Sequence, residues 1–242
     1  MILYGYYGYG YGYGYDPMLI WALLVAVISM IASAKVSSTY RKYDKVRSST
    51  GMTGAQAAEK ILHSAGIYDV SVEHIRGELT DHYDPRNKTL RLSDATYGSA
   101  SVAAVGVAAH ECGHAIQHQE EYAPLKFRSA LVPAANLGSR LGIPIILIGY
   151  IFGAMSFLVP VGIIVFSMAV LFQVVTLPVE FNASKRALVL LENQGILGER
   201  EVQQSRKVLT AAALTYVAAA AASIVQLLRL ILIFGGGRRR DD

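Results

Sequence analysis

Four apolar segments, each about as long as a membrane is thick, constrain the fold of this chain more than any other feature. They are residues 17–36, 141–158, 159–179 and 211–234. A transmembrane helix needs about 20 mainly apolar residues. Only 17% of the 242 residues are charged, and this share lies below the roughly 25% that is typical of soluble domains. The sequence therefore predicts a mainly α-helical, multi-pass membrane protein with about four transmembrane helices.

The second and third apolar segments follow each other directly and predict a hairpin with a short turn at residues 157–162. The fourth segment is less uniform, because its first half is rich in alanine and its second half holds Arg229. Two alternatives stay open for it: a fourth crossing of the bilayer, or a helix that packs against the other three.

The basic residues predict the orientation in the membrane. Lys and Arg cluster at residues 41–47, directly after the first apolar segment, and none precedes that segment. The positive-inside rule then places residues 37–128 on the cytoplasmic side. A fourth crossing that starts on the cytoplasmic side would place the basic residues 238–240 outside, which conflicts with the same rule. Because most basic residues lie beside apolar segments, the net charge of +4 indicates a lipid bilayer as partner and no nucleic acid.

A motif with metal-binding spacing lies between the first and second apolar segments. His110, Glu111 and His114 spell H-E-x-x-H. On an α-helix the two histidines lie one turn apart on one face, so that both imidazoles can bind one Zn²⁺. Glu111 lies beside the first histidine and can take a proton from a water that zinc activates. A proline-free stretch, residues 99–119, predicts the helix, with Ser99 or Ser101 as its N-cap.

The predicted topology supplies a third ligand. The transmembrane hairpin leaves the cytoplasmic side and returns to it, and Glu180 follows directly after the hairpin. It is the one acidic residue between Glu121 and Glu192, and an unpaired carboxylate at the membrane edge is costly. We predict that Glu180 binds zinc and that Pro178 begins a new helical segment. The alternative is a salt bridge from Glu180 to Lys185 or Arg186.

Other residues near the motif have simpler interpretations. His118 lies one turn beyond His114 but is predicted to bind no metal, since catalytic zinc sites mostly use three protein ligands. Cys112 lies off the face of the two histidines and is predicted to be a small buried filler. Tyr83, His82 and Tyr216 are candidates for stabilising a developing oxyanion, and the sequence selects none of them.

The segment before the motif predicts a small β-structure. Residues 70–72 and 79–83 read as short strands, and residues 88–92 alternate polar and apolar side chains as a half-buried strand does. A turn signal at residues 84–87 joins the last two strands into a hairpin. The hairpin either offers its open edge to an extended peptide or only covers the zinc helix. Thr53, with Gln56 three residues later, predicts a capping box for an earlier helix.

Several segments together resemble the YugP-type membrane zinc metallopeptidases. They are residues 53–58, 79–86, 108–117, 177–181 and 212–219. The resemblance implies a multi-pass protein of a prokaryotic cell membrane with one catalytic zinc and a zincin-like catalytic region of the gluzincin type. A more distant similarity to the HtpX-type membrane proteases of quality control implies that Glu180 ligates zinc at the start of a short helix. Those proteins have an orienting Asp four residues later, where this chain has Ser184, and Asn182 is the nearest amide.

The sequence therefore predicts a membrane-embedded zinc endopeptidase of unfolded or membrane-associated polypeptides, with Glu111 as general base and His110, His114 and Glu180 as zinc ligands. Two alternatives stay open. One is a non-catalytic, zinc-stabilised membrane scaffold. The other is a site-2-type intramembrane protease, although the chain has no N-P-x-x-x-x-D-G-like segment.

The predicted organisation has seven parts. A Tyr/Gly-rich tail (residues 1–16) and a first transmembrane helix (17–36) precede the catalytic region (37–128). An interfacial segment with the transmembrane hairpin (129–179), a third-ligand helix with a connecting helix (180–210), a fourth transmembrane or membrane-packed helix (211–234) and a basic tail (235–242) follow.

Overall fold

A computed structural model of the protein describes residues 18–234, and the two predicted tails lie outside the described residues. The chain is mainly helical, as predicted, with one small sheet. Its helices are α1 (Leu19–Asp44), α2 (Gly54–Ser64), α3 (Val102–Gln119), α4 (Ala123–Ile151), α5 (Leu158–Asn193) and α6 (Glu199–Phe234). Its strands are β1 (Ser71–His74), β2 (His82–Asp84) and β3 (Thr89–Leu92), in the order β1-β3-β2.

Within the described residues, four helices are long and apolar enough to cross a membrane: α1, α4, α5 and α6. The prediction of about four spans is confirmed. Only 11% of the apolar window of α1 is buried, and 17–22% of the windows of the other three helices. Such exposed apolar surface is unfavourable in water and suits a lipid environment, because lipid tails do not penalise it.

Helices α4 and α5 form the predicted hairpin, but its turn lies earlier than predicted, in residues 152–157 with a short 3₁₀ turn at Gly153–Met155. The two helices approach closely at glycines. A Cβ on Gly142 would lie 2.7 Å from the Cβ of Phe166, and one on Gly138 would lie 2.4 Å from the carbonyl oxygen of Val165. Small residues four apart are a common way to pack membrane helices.

Two predicted boundaries are wrong because prolines lie inside helices. Pro178 does not begin a new segment; α5 continues without a break from Leu158 to Asn193 and carries Glu180 in its interior. Likewise, α4 starts at Ala123 and continues through Pro133, so residues 129–140 belong to the first helix of the hairpin. Neighbouring helices and side chains compensate for the hydrogen bond that proline removes, and membrane helices therefore tolerate it.

Helix α3 is the centre of the region outside the membrane helices. Ser101 caps it through a bond from the Ala104 N–H, and most of its length is buried, as predicted. Helix α2 packs against it, and the capping box of Thr53 and Gln56 is present at the start of α2. Helix α3 thus holds the H-E-x-x-H motif inside a packed core that also contacts α5 and α6.

The β-structure differs in part from the prediction. Strands β2 and β3 form the predicted antiparallel hairpin, with Tyr83 opposite Leu90, and β1 adds to β3 in parallel. The strand predicted from residue 79 begins only at His82. Leu79 has a φ of +56°, which no strand residue adopts. Strand β2 lies at the edge of the sheet, next to the motif helix.

Candidate metal centre

Two helices bring the three predicted ligands together. Helix α3 carries His110 and His114, whose rings lie 4.8 Å apart between centroids. Helix α5 carries Glu180, whose side chain is only 4% exposed. The ligand atoms of these three residues all lie within 4.8 Å of one another, and they are the one cluster of His, Cys, Asp or Glu within residues 18–234 with this geometry.

Gly113 explains how α5 comes so close to the motif. A Cβ at this position would lie 2.7 Å from the carbonyl oxygen of Ala183 and 3.1 Å from its Cα. These neighbours are backbone atoms of α5, which cannot rotate away as a side chain can. A glycine between the motif's glutamate and second histidine therefore allows the two helices to touch where Glu180 faces the histidines.

The distances between the donor atoms fit a zinc ion. The Nε2 atoms of His110 and His114 lie 3.3 and 3.6 Å from Oε2 of Glu180. With metal–ligand bonds of about 2.0–2.2 Å, the ligand atoms of a tetrahedral zinc site lie roughly 3.3–3.5 Å apart. Glu180 Oε2 is buried and has no hydrogen-bond partner. A buried carboxylate oxygen without a donor is costly, and a cation held by the three residues would satisfy it.

A second set of side chains holds the histidines from behind. Nδ1 of His114 lies 3.0 Å from Oε1 of Gln117, and Nδ1 of His110 lies 3.1 Å from Oγ of Ser184. If both Nδ1 atoms carry the proton and donate it, both Nε2 atoms are left as metal ligands. Gln117 is fully buried and donates through Nε2 to the Val179 carbonyl and to Asn182, each at 2.9 Å. The amide of Gln117 therefore links the motif helix to α5 beside Glu180.

The other carboxylate oxygen of Glu180, Oε1, faces the side chain of an arginine. Nη1 of Arg128, from α4, lies 3.5 Å from Oε1 of Glu180. The salt bridge from Glu180 to Arg186 that the sequence left open is not formed, because Arg186 pairs with Glu120 at 2.6 Å and with Asn182 at 2.8 Å. Three helices, α3, α4 and α5, thus meet at the carboxylate of Glu180.

Glu111 lies beside the ligands and faces strand β2. Glu111 is 8% exposed, and its Oε2 accepts a hydrogen bond of 3.0 Å from the backbone N–H of Tyr83. The phenol of Tyr83 also reaches α3, where its oxygen lies 2.8 Å from Nδ1 of His118. Tyr83 therefore holds the edge strand against the motif helix through two contacts, one from its backbone N–H to Glu111 and one from its phenol to His118.

Burial and charge perturb titrating groups around the site. Burial, with Asp69 and Asp84 nearby, raises the pKa of Tyr83 to about 12, so that its phenol stays protonated at neutral pH. For His114, burial lowers the pKa, but the Glu180 and Glu111 carboxylates outweigh it and the net direction is upward. The two carboxylates that favour a proton there favour a divalent cation for the same electrostatic reason.

A cleft of about 810 Å³ opens onto the three candidate ligands. Its walls come from α3, α4, the β2–β3 hairpin and α6. Charged side chains, among them Arg86, Glu121, Lys126 and Arg128, line it beside Tyr216 and the metal cluster. The volume lies within the usual range of ligand-binding clefts.

The other residues that the sequence analysis considered as metal ligands or oxyanion donors have different surroundings. His118 bonds Tyr83 and lies outside the ligand cluster, and Cys112 is buried with Sγ 3.6 Å from the Ala58 carbonyl. Burial raises the pKa of the Cys112 thiol well above its usual value, which disfavours a thiolate ligand. His82 bonds the Thr80 carbonyl on the surface. All three oxyanion candidates line the cleft, and Tyr216 is the one of them whose phenol bonds Glu180.

Sequence reasoning missed Arg128 and the role of Gln117. The only available signal for Gln117 was its position three residues after His114 on the same helical face. No local pattern links Arg128 to Glu180, because the two residues lie on different arms of the hairpin, 52 positions apart in the sequence. The resemblance of the sequence to the HtpX-type proteases did point to position 184, and the hydroxyl of Ser184 lies 3.1 Å from Nδ1 of His110.

The chain is similar to known proteins over most of its length. The profile of a family described as "Putative neutral zinc metallopeptidase" matches residues 18–235. A protein of Bacillus subtilis (strain 168), described as "Putative membrane protease YugP", is 48% identical over 189 residues, which cover 78% of this chain and 84% of that protein. No solved structure matches. The chain therefore belongs to the neutral zinc metallopeptidase family that this profile describes.

Proposed function

We propose that the protein is a membrane-embedded zinc endopeptidase. The observation that carries the proposal is the convergence of His110, His114 and the buried, unpartnered Glu180 Oε2 at the base of a cleft that also holds Glu111. Three protein ligands leave one coordination position for water, as in catalytic zinc sites. Zinc bound there supplies a Lewis acid that lowers the pKa of water and polarises a carbonyl.

Glu111 acts as the general base and then as the general acid. It takes a proton from the attacking water, whose oxygen bonds to the carbonyl carbon of the substrate. It then gives the proton to the leaving nitrogen as the C–N bond breaks, which yields a carboxylate and an amine. In the resting state its Oε2 accepts the Tyr83 N–H, and this contact keeps the carboxylate directed at the cleft.

Tyr216 is the donor that we assign to the oxyanion. Its phenol bonds the Glu180 carboxylate and lines the cleft directly beside the zinc ligands, whereas the phenol of Tyr83 bonds His118, which lies outside the ligand cluster. A hydrogen-bond donor beside the developing negative charge stabilises the transition state more than the substrate.

The edge strand β2 is the element on which a substrate would align. The N–H of Tyr83 points away from β3 toward Glu111, and in an extended strand the carbonyl of the same residue lies on the same edge. A peptide in the cleft can pair with this edge by strand addition. The substrate is then an extended polypeptide, unfolded or membrane-associated, which suits a role in membrane-protein quality control.

The orientation follows from the charges. The basic residues after α1 favour the cytoplasmic face of a prokaryotic cell membrane for the catalytic side. The alternative of a zinc-stabilised scaffold has less support, because His118, the residue that would complete a closed site, bonds Tyr83 instead. The site-2-type alternative has no second motif in the sequence to support it.

The test is a matched pair of variants. We would purify the protein in detergent, measure bound zinc, and assay cleavage of casein and of a membrane-protein substrate. Glu111→Gln should keep its zinc and lose activity by about 10²–10⁴-fold, the usual contribution of general acid–base catalysis. Glu59→Gln, an exposed acid on α2 outside the cleft, is the control and should retain activity. Full activity in Glu111→Gln would refute the mechanism.

A further inference from the structure

A second cavity reaches the metal cluster beside α1 and α6. It has a volume of about 460 Å³ and shares with the cleft the residues Asp81, His110, Glu111, Glu180 and Tyr216. The rest of its lining comes mainly from α1 and α6, with Ser33, Val36 and Ser37 on one and Ala212, Ala213 and Thr215 on the other. Leu79, Val107 and Ser184 complete the lining. The metal cluster is therefore accessible from two directions.

The two openings differ in chemistry. Apart from the shared residues, the cleft carries charged side chains, whereas the cavity between α1 and α6 is lined only by small, hydroxyl or apolar side chains. The hydroxyls of Ser33, Ser37 and Thr215 each donate to a carbonyl of their own helix, at 3.0, 3.3 and 2.7 Å. Each of these three hydroxyls therefore donates its hydrogen bond within its own helix and not between α1 and α6.

The cavity lies at the depth where a membrane-anchored chain would meet the site. At about 1.5 Å per residue, Ser37 lies roughly 27 Å along α1 from Leu19, and Glu180 lies roughly 33 Å along α5 from Leu158. Both positions are near the far boundary of a hydrocarbon layer of about 30 Å. Ser33 lies one turn deeper and is exposed on the outer surface of the bundle.

Building on the proposed peptidase function, we propose that the cavity between α1 and α6 is a lateral entrance for a membrane-anchored polypeptide. The segment next to the transmembrane anchor of the substrate passes between the small side chains of the two helices. The following residues then extend past Glu111 into the charged cleft and pair with β2. The substrate class is therefore a membrane protein that is cut close to the membrane surface.

A cleavage assay can separate the two openings. The casein segment that the wild type cleaves would be supplied free and fused directly to a single apolar helix, in the same phosphatidylcholine and phosphatidylglycerol vesicles. Ser37→Trp fills the cavity and should lower the ratio of kcat/KM for fused over free segment by at least about tenfold. Ile31→Trp, on the exposed face of the same helix, is the matched control and should leave the ratio unchanged. An unchanged ratio in Ser37→Trp would overturn the entrance.

A second measurement does not need activity. In a Glu111→Gln background, p-benzoylphenylalanine in place of Ser37 should crosslink the fused segment more strongly than the same group in place of Ile31. Equal crosslinking at the two positions, or crosslinking to lipid alone, overturns the entrance. Preferential crosslinking at Ser37 without cleavage by the wild type would leave the entrance standing and refute the peptidase function.

Discussion

The two sides of the metal centre are built differently. On the closed side, α3 and α5 touch at Gly113 and Ala183, and the Nδ1 atoms of both histidines have partners in Gln117 and Ser184. On the open side, Glu111, Tyr216 and the edge of β2 face the cleft. The difference indicates that metal binding is built into helix packing, whereas catalysis depends on groups that a substrate can reach. Substitutions on the closed side should change zinc affinity, and substitutions on the open side should change turnover alone.

The largest effect is expected for Glu180→Ala. The substitution removes one of three ligands and leaves Arg128 without its carboxylate partner. Zinc affinity should fall by more than the roughly 10–100-fold that is typical for the loss of an outer-shell partner, and peptidase activity should disappear with the metal. Competition with a chelator of known affinity measures this. Glu192→Ala, at an exposed position of the same helix, should bind zinc as the wild type does. Unchanged zinc affinity in Glu180→Ala would mean that the third ligand is misassigned.

A smaller effect is expected on the open side, in Tyr216→Phe. Loss of one oxyanion donor typically lowers kcat by about 10²–10³-fold, and zinc affinity should change much less than kcat, because the phenol bonds Glu180 but is not itself a ligand. Tyr122→Phe removes another hydroxyl from the cleft walls, away from the residues that both cavities share, and serves as the control. If Tyr216→Phe lowers zinc affinity and kcat in parallel, Tyr216 belongs to the closed side and the proposed oxyanion role is wrong.

The comparison also separates what the sequence could predict from what it could not. His110 and His114 follow from helical periodicity, a local property. Glu180 follows from topology, because a hairpin returns a lone acidic residue to the catalytic side. Tyr83 as partner of Glu111 depends on how an edge strand docks on a helix, and no local pattern encodes such contacts between distant elements.

The boundary errors have a related cause. Pro178 is a helix breaker in an isolated segment, but in α5 the neighbouring helices hold the chain helical on both sides of it. The sequence predicts the turn of the hairpin five residues later than the structure has it, because apolar residues continue through the turn. Its actual position follows the glycines that let α4 and α5 touch, such as Gly149, whose added Cβ would lie 2.9 Å from the Val159 nitrogen. Hydropathy shows which residues lie in the membrane, whereas small residues decide where the helices meet.

The smallest effect is expected for Gln117→Leu, which tests whether the closed side is more than packing. Leucine fills the buried space but cannot accept from Nδ1 of His114 or donate to Val179 and Asn182. Because outer-shell partners orient the ligand and fix its tautomer, zinc affinity should fall by about 10–100-fold. Gln119→Leu, at an exposed position two residues later, should have no effect on zinc.

Gln117→Glu separates orientation from stability at the same position. The carboxylate still accepts from the imidazole of His114, but it cannot donate to the carbonyl of Val179, and its charge is buried. This variant should therefore bind zinc more tightly than Gln117→Leu while unfolding at a lower temperature than the wild type in a thermal melt with excess metal. If zinc affinity instead follows thermal stability across the two variants, Gln117 acts only by joining α3 to α5, and the difference between the two sides of the centre is one of packing density alone.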